Sequence, residues 1–377
     1  MLTEQALWTS TDGWRSGAKP GVGAQAQLAF AFGARGALAE PARFEELRQR
    51  YPHALIATCS TGGEIHGQAI TDDAISVTAI QFDRVKLSSG ATPLPESAGS
   101  FTAGVALAKK LALDGLRLIF VLSDGTQSNG SALIRGIRSV VGDQVTITGG
   151  LAGDGSRFEK TLVGLDSAPQ PKQAIGIGFG GAALALGHGS EGGWDVFGPE
   201  RKISRAEGNV LFELDGKPAL ELYKRYLGEE AAALPGSALL FPLRIYQPGQ
   251  QQNALVRTIV GIDEARQAMI FAGDVPQGHC GQLMRGNFDR LIEGAADAAR
   301  QALSVEGDSL AILVSCIGRK LLLGQRTVEE VEAVAEVLGE RAALTGFYSY
   351  GEISPHDRSG FCELHNQTMT VTVIGET

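Results

Sequence analysis

Two stretches of this chain set reactive side chains beside glycines that let the backbone turn tightly. The first is Thr58-Cys59-Ser60-Thr61-Gly62-Gly63-Glu64-Ile65. The second is Gly346-Phe347-Tyr348-Ser349-Tyr350-Gly351-Glu352-Ile353, followed by Cys362-Glu363-Leu364-His365-Asn366-Gln367-Thr368-Met369-Thr370. They echo each other, with Glu64 and Glu352 in equivalent places. A motif used twice predicts two halves that build related loops. Paired carboxylates facing one ligand would suit an amine. Alternatively, each carboxylate accepts backbone N–H groups within its own glycine turn. Tyr348 and Tyr350 could stack on a ligand or fill a domain interface. Strand alternation places them on one face, with Ser349 on the other.

The four cysteines, Cys59, Cys280, Cys316 and Cys362, are far apart and form no CxxC. In a chain of this size they are expected to be free thiols. Taken singly, each suits a small buried hydrophobe. Cys316 precedes Arg319 and Lys320, which would favour its thiolate if they lie close. Cys362 and His365 form C-x-x-H, which could reach one metal from a tight turn. On a regular strand the two point to opposite faces. His279-Cys280 is an awkward chelate for the same kind of reason.

Other motifs fall short. Gly176-Ile177-Gly178-Phe179-Gly180-Gly181 fits GxGxxG. That motif binds pyrophosphate only when a helix N-terminus follows. Ala182 to Gly189 reads as a second strand, so a hairpin or a closely packed strand is expected. No GxxxxGK[ST], GxSxG or HExxH occurs. Asp124 and Asp154 follow strands, as catalytic carboxylates do. Each also precedes a glycine, as turn-capping aspartates do.

The elements that would position these residues alternate along the chain. Strands are expected at Gln27–Phe32, Ala54–Ala57, Ile75–Phe82, Leu116–Leu122, Val145–Thr148 and Ala174–Leu186, and helices at Pro41–Arg50, Phe101–Leu113 and Ser131–Val140. A second series begins near Gly216. Strands there are expected at Ala238–Ile245, Leu255–Val260, Met269–Ala272, Ala311–Val314 and Leu364–Ile374. Its helices are Pro218–Tyr226, Asn287–Leu303 and Thr327–Leu338. Strands run into glycine loops that begin at Cys59, Gly149, Ser315 and Gly346. The pattern predicts an α/β fold of two domains, with mixed β-sheets flanked by helices. Ligands in such sheets sit beyond the carboxyl ends of strands, so the strand-to-glycine-loop ends are expected to form a shared site.

Bulk properties narrow the class. A chain of 377 residues, 44% hydrophobic and 20% charged, exceeds one ordinary core. Its 50 glycines are scattered between apolar runs, which implies tight turns. A net charge of −9 without a basic stripe argues against nucleic acid or an anionic membrane as partner. No run reaches the ~20 apolar residues that span a bilayer. No signal peptide is visible before Arg15, so a cytoplasmic protein is expected.

Several tracts resemble FIST-domain proteins. They are Thr58 to Ile65, Arg205 to Asn209 with Glu213 to Ala219, Phe271-Ala272-Gly273-Asp274-Val275-Pro276, and the closing Gly346 to Met369. The resemblance covers nearly the whole chain. It implies a FIST N-like domain over 1–215 and a FIST C-like domain over 216–377. It also implies a sensory module for small ligands, with no enzymatic activity. The chain further resembles the stand-alone, nitric-oxide-sensing (NosP-type) subgroup. Those proteins act on histidine kinases or cyclic-di-GMP enzymes and are described as haem or iron–sulfur proteins. On that resemblance, Cys316 and Cys362, then Cys280 and Cys59, are candidate iron ligands. His365 and then His188 are candidate haem ligands. The chain ends shortly after Gly375 with no output segment, so such a sensor would act by contact with a partner. A cofactor-free reading assigns Ser60, Glu64, Arg319, Tyr348, Tyr350 and Glu352 to an amino acid or similar metabolite. A third reading makes Cys316 or Cys362 a catalytic nucleophile.

Overall fold

Three apolar runs become strands with one shared role: Leu28–Gly33, Leu116–Ser123 and Ser309–Cys316. Each lies parallel to the strand that follows it through a helical crossover. Those partners are Leu55–Ser60, Thr146–Leu151 and Ala342–Ser349. The crossovers contain the helices Pro41–Arg50, Gly130–Val141 and Thr327–Leu338. On its other side each strand pairs antiparallel with Ile75–Gln81, Gln173–Gly180 or Met369–Glu376. The chain therefore carries three copies of one unit and is α/β, with mixed sheets flanked by helices. The computed structural model describes residues 1–17, 21–94, 99–234, 236–303, 305, 307–355 and 362–377.

The units exchange their edges. Lys86–Pro93, from the first unit, joins the second unit's sheet, and Leu184–Glu191, from the second, joins the third. Leu2–Thr9 takes the matching place in the first sheet. At the opposite edges the exchange runs the other way. Glu64–His66 pairs with Ala342–Ser349, Val163–Leu165 with Leu55–Ser60, and Gly351–Pro355 with Thr146–Leu151. Each of the three six-stranded sheets is thus completed by its neighbours.

Side-chain alternation decides what each sheet buries. Leu28, Phe30 and Phe32 point inward together with Leu118, Phe120 and Leu122, and with Leu310, Ile312 and Val314, all in one core cluster. Phe30 meets Phe120 edge-on at 5.2 Å between centroids. The alternate residues face the helices: Ala29 and Ala31 meet Leu47, while Ile119 and Val121 share a cluster with Leu133 and Ile137. Burial on both faces is why these strands read as unbroken apolar runs.

A nine-stranded sheet is inserted between the second and third units, from Trp194–Val196 to Cys280–Gly286. It has its own core, built from Ile203, Leu211, Tyr223, Ile245 and Phe271 against the helix Ala219–Leu227. The 215/216 boundary falls inside this sheet. Asp215 and Gly216 have φ of 51° and 72° and turn the chain between the antiparallel strands Val210–Leu214 and Lys217–Pro218.

Several expected elements differ, among them Leu255–Val260, which is two strands, Leu255–Arg257 and Ile259–Asp263. Ala238–Ile245 is not one strand: a 3-10 turn at Gly236–Leu240 precedes the strand Leu243–Tyr246. Leu364–Ile374 divides between two sheets, as Cys362–His365 and Met369–Glu376, with Gln367 at φ 67° in the corner. The loop expected after Ser315 is instead the helix Ile317–Leu323, which starts directly behind Cys316. The GxGxxG tract is the strand Gln173–Gly180, followed by the strand Leu184–Glu191 in another sheet rather than by a helix. Its glycines mark close packing. A Cβ on Gly176 would stand 2.7 Å from Leu111, and one on Gly178 would stand 2.4 Å from Ser88.

Candidate ligand cleft and the loops at the threefold centre

The parallel pairing superposes three loops: Gly62 corresponds to Gly153 and to Tyr350. Their backbones close a cyclic set of hydrogen bonds. Gly62 N–H donates to Tyr348 O (2.7 Å), Tyr350 N–H to Leu151 O (3.1 Å), and Gly153 N–H to Ser60 O (2.8 Å). Glycine is required by this approach. A Cβ on Gly153 would lie 2.8 Å from the Gly62 nitrogen. The echo between Cys59 and Gly346 is therefore two members of a trio.

Glu64 and Glu352 are buried and held alike. Thr61 Oγ1 donates to Glu64 Oε1, and Ser349 Oγ donates to Glu352 Oε1, both at 2.6 Å and both from three residues earlier. Thr71 and the Ala74 N–H reach the second oxygen of Glu64, while the N–H and hydroxyl of Thr368 reach that of Glu352. Burial pushes both carboxyls up to about 8 against these hydrogen bonds. The other candidates at this centre are equally committed. Ser60 Oγ donates to Gly153 O and accepts from Leu162 N–H. Tyr350 OH donates to Gly155 O, and its ring stacks on Phe158 at 4.2 Å. Tyr348 OH donates to Glu330, which also forms a fully buried ion pair with Arg319. Arg319 then donates to Gly192 O and Leu291 O, so this cation ties the sheet to the helix Phe288–Ala302. Asp124 caps its own turn through Thr126 and Gln127 N–H, and Asp154 pairs with Arg35 and Arg157.

The thiols lie in four different sheets: Cys59, Cys280, Cys316 and Cys362 each belong to a separate one. Among the described residues, no three His, Cys, Asp or Glu side chains gather as a metal-holding group. Among the described residues, the four thiols therefore do not come together as an iron–sulfur site. Cys316 corrects a specific expectation. Burial, then Glu352, pushes its thiol well up, and Arg319 lowers it too little to reverse this, being spent on Glu330. Burial also raises Cys59 and Cys280, and takes Cys362 to about 11. His365 is buried, with Nε2 3.0 Å from Ser354 O. His188 is half-buried in the strand Leu184–Glu191, and burial pulls its imidazole down.

A cleft of about 580 Å³ lies between the second unit and the inserted sheet. Such a volume suits a small ligand. One wall comes from Ser131, Ile134, Arg135 and Arg138 on the helix Gly130–Val141, with Cys362 to Leu364 beside them. The facing wall comes from the inserted sheet, including Tyr246, Leu255 and Arg257. Arg257 is 4% exposed. Its Nε donates to Asp274 O, and its Nη1 to Leu364 O at 2.9 Å. These carbonyls orient the guanidinium without neutralising it. Glu363 and Asp274 act on Arg257 through space, but among the described residues no carboxylate forms an ion pair with it. Both oxygens of the nearby Asp274 are taken, by Asn129 and Arg135. Burial pulls the Arg257 guanidinium below the ordinary arginine range. Sequence reading missed this residue. The available signal was an arginine inside the apolar run Leu255–Val260.

The fold is that of an α/β protein of three repeated units and an inserted sheet, with a cavity between the second unit and that sheet. The family model described as the FIST N domain matches residues 27–217, and the FIST C domain model matches residues 219–355. The chain belongs to the FIST family. FIST domains are in general sensory, ligand-binding domains of signal transduction. An uncharacterized protein of Methanocaldococcus jannaschii is 24% identical over 378 residues, covering 88% of this chain and 70% of that protein. A solved structure, a cyanuric acid hydrolase from A. caulinodans, aligns over 100% of this chain and 99% of its own at 10% identity. Its TM-score of 0.36 carries no argument about activity. Among the described residues, no helix is long and apolar enough to cross a membrane.

Proposed function

We propose that this FIST protein is a sensor whose small ligand occupies the cleft between the second unit and the inserted sheet. One observation carries the reading: a cavity of about 580 Å³ lined by a buried guanidinium that, among the described residues, forms no ion pair with a carboxylate. The ligand would touch both bodies at once, so binding would favour one arrangement of the seam over another. That seam already has defined contacts. Trp194 Nε1 donates to Gln367 O, Gln367 Nε2 to Leu239 O, and Thr258 N–H to Asn366 Oδ1. The output would pass by contact to a separate signalling protein, for which the family resemblance suggests a histidine kinase or a cyclic-di-GMP enzyme. Binding rather than turnover is favoured because burial holds the thiols in their neutral form.

The test is thermal unfolding of the full chain against a broad metabolite panel, with Leu255→Trp as the variant that fills the cleft. A ligand should raise the melting temperature of the wild type and leave the folded variant unchanged. A shift that survives in Leu255→Trp would place the ligand elsewhere and defeat the proposal.

A further inference from the structure

We infer that the group recognised in this cleft is a carboxylate, bound by Arg257 and Ser131 at the start of the helix Gly130–Val141. The inference rests on the cleft reading above and adds the chemical class of the ligand.

Three independent features converge. The first is the unpaired charge. Arg257 spends Nε and Nη1 on backbone carbonyls, and among the described residues Nη2 has no partner. A guanidinium held in a fixed plane with one nitrogen, Nη2, still free to donate suits an oxyanion. Glu363 and Asp274 act on this buried cation through space, but among the described residues neither forms an ion pair with it, so a ligand would supply its direct counter-charge.

The second is Ser131. It is 9% exposed, lines the cleft, and among the described residues its Oγ has no hydrogen-bond partner. Ser131 and Arg257 both line the cleft and both approach Gly273, where a Cβ would stand 3.1 Å from Arg257 Nε, 3.2 Å from Ser131 Oγ and 3.2 Å from Leu364 Cδ2. The missing side chain at Gly273 lets the two groups lie close together.

The third is the helix itself. Ser131 lies in the first turn of a 12-residue helix whose N-cap, Asn129, accepts from Ala132 N–H. The helix dipole adds partial positive charge on the side where Ser131 stands.

Competing charges do not cancel the site. Arg135 is neutralised by Asp274, and Arg138 pairs with Asp143. Glu363 also lines the cleft and acts on Arg257 through space without an ion pair among the described residues, so its charge opposes a carboxylate ligand and the direct Nη2 contact has to outweigh it. One guanidinium nitrogen, Nη2, and one hydroxyl match the two oxygens of a carboxylate. A phosphate monoester, with more charge and a third oxygen, calls for more donors. The apolar lining at Ile134, Ile245 and Leu255 favours a short hydrocarbon body behind the charged head.

The experiment is calorimetric titration of the full chain with mono- and dicarboxylates of two to six carbons. Succinamide serves as the neutral isostere of succinate, and inorganic phosphate as the other oxyanion. A carboxylate should bind and its amide should not. Arg257→Gln should weaken binding by about 10- to 100-fold, as loss of a charge-assisted hydrogen bond does. Arg257→Lys should keep part of the affinity, and Ser131→Ala should lose less than Arg257→Gln. Circular dichroism of each variant confirms that the fold persists. Equal binding of amide and carboxylate overturns the inference, as does undiminished binding by a folded Arg257→Gln. Preference for phosphate or silence of the whole carboxylate series overturns it too. A neutral metabolite that binds the wild type but not Leu255→Trp would leave the cleft reading standing and defeat the carboxylate alone.

Discussion

Replacing Glu330 by alanine should destabilise the protein severely, because Arg319 would then be a buried cation without a counter-charge. Both side chains are 0% exposed, and Arg319 Nη2 and Nε lie 2.9 Å and 3.0 Å from Glu330 Oε2. Removing one member of such a pair costs about 3–5 kcal/mol. Glu330 Oε1 also accepts from Ser315 Oγ at 3.0 Å and Tyr348 OH at 2.7 Å. Each stranded hydroxyl adds about 1 kcal/mol. The same ledger predicts a partial rescue. Arg319→Met combined with Glu330→Leu removes both charges and refills the space, so its cost should be well below that of Glu330→Ala alone. Urea unfolding followed by tryptophan fluorescence measures both variants, and coincidence with circular dichroism checks for intermediates. A single-variant cost below about 1 kcal/mol would refute the claim that this pair carries an unscreened charge. So would a double variant no more stable than the single.

Two further outcomes follow from the burial of titratable groups. Glu64 and Glu352 are raised by burial to about 8 in the folded protein, above their unfolded value. The folded state therefore holds protons that the unfolded chain releases, so stability should fall as pH rises from about 5 to about 8. Glu352→Gln should flatten part of that slope in urea melts at pH 5, 6, 7 and 8. A slope unchanged in Glu352→Gln and Glu64→Gln together would exclude these carboxyls as its source. The raised thiols of Cys59 and Cys316 should resist a disulfide reagent at pH 7.5 in the native protein and react only on unfolding. Labelling of either at the rate of free cysteine, read by peptide mass spectrometry, would contradict their placement.

Local structure was largely legible in the sequence. The helices Pro41–Arg50 and Thr327–Leu338 stand where periodicity and end signals put them, the first with proline at its start. Buried strands such as Leu116–Ser123 announced themselves as apolar runs. What the sequence concealed was pairing. Nothing local reveals that Glu64–His66 belongs beside Ala342–Ser349, or that Cys362–His365 and Met369–Glu376 lie in different sheets. The glycine loop beginning at Gly149 was expected, but its equivalence to the other two was not, because Leu151, Ala152 and Gly153 share little but backbone geometry with Ser60, Thr61 and Gly62. Reactive side chains drew attention to the glycine loops, where each is already bonded to the fold. Arg257 was passed over because its burial without an ion pair among the described residues is a property of the three-dimensional arrangement alone.

The exchange of edge strands has a consequence for how the chain emerges from a ribosome. Glu64–His66 appears early, but its partner Ala342–Ser349 is made near the end. At about 5–20 residues per second, the roughly 280 residues between His66 and Thr345 take about 15–60 seconds to synthesise. The first sheet receives Val163–Leu165 well within that interval, whereas Glu64–His66 has no place in the third sheet until it ends. The nascent protein thus carries that unpaired strand edge through most of its own translation, an edge of the kind that invites wrong pairing.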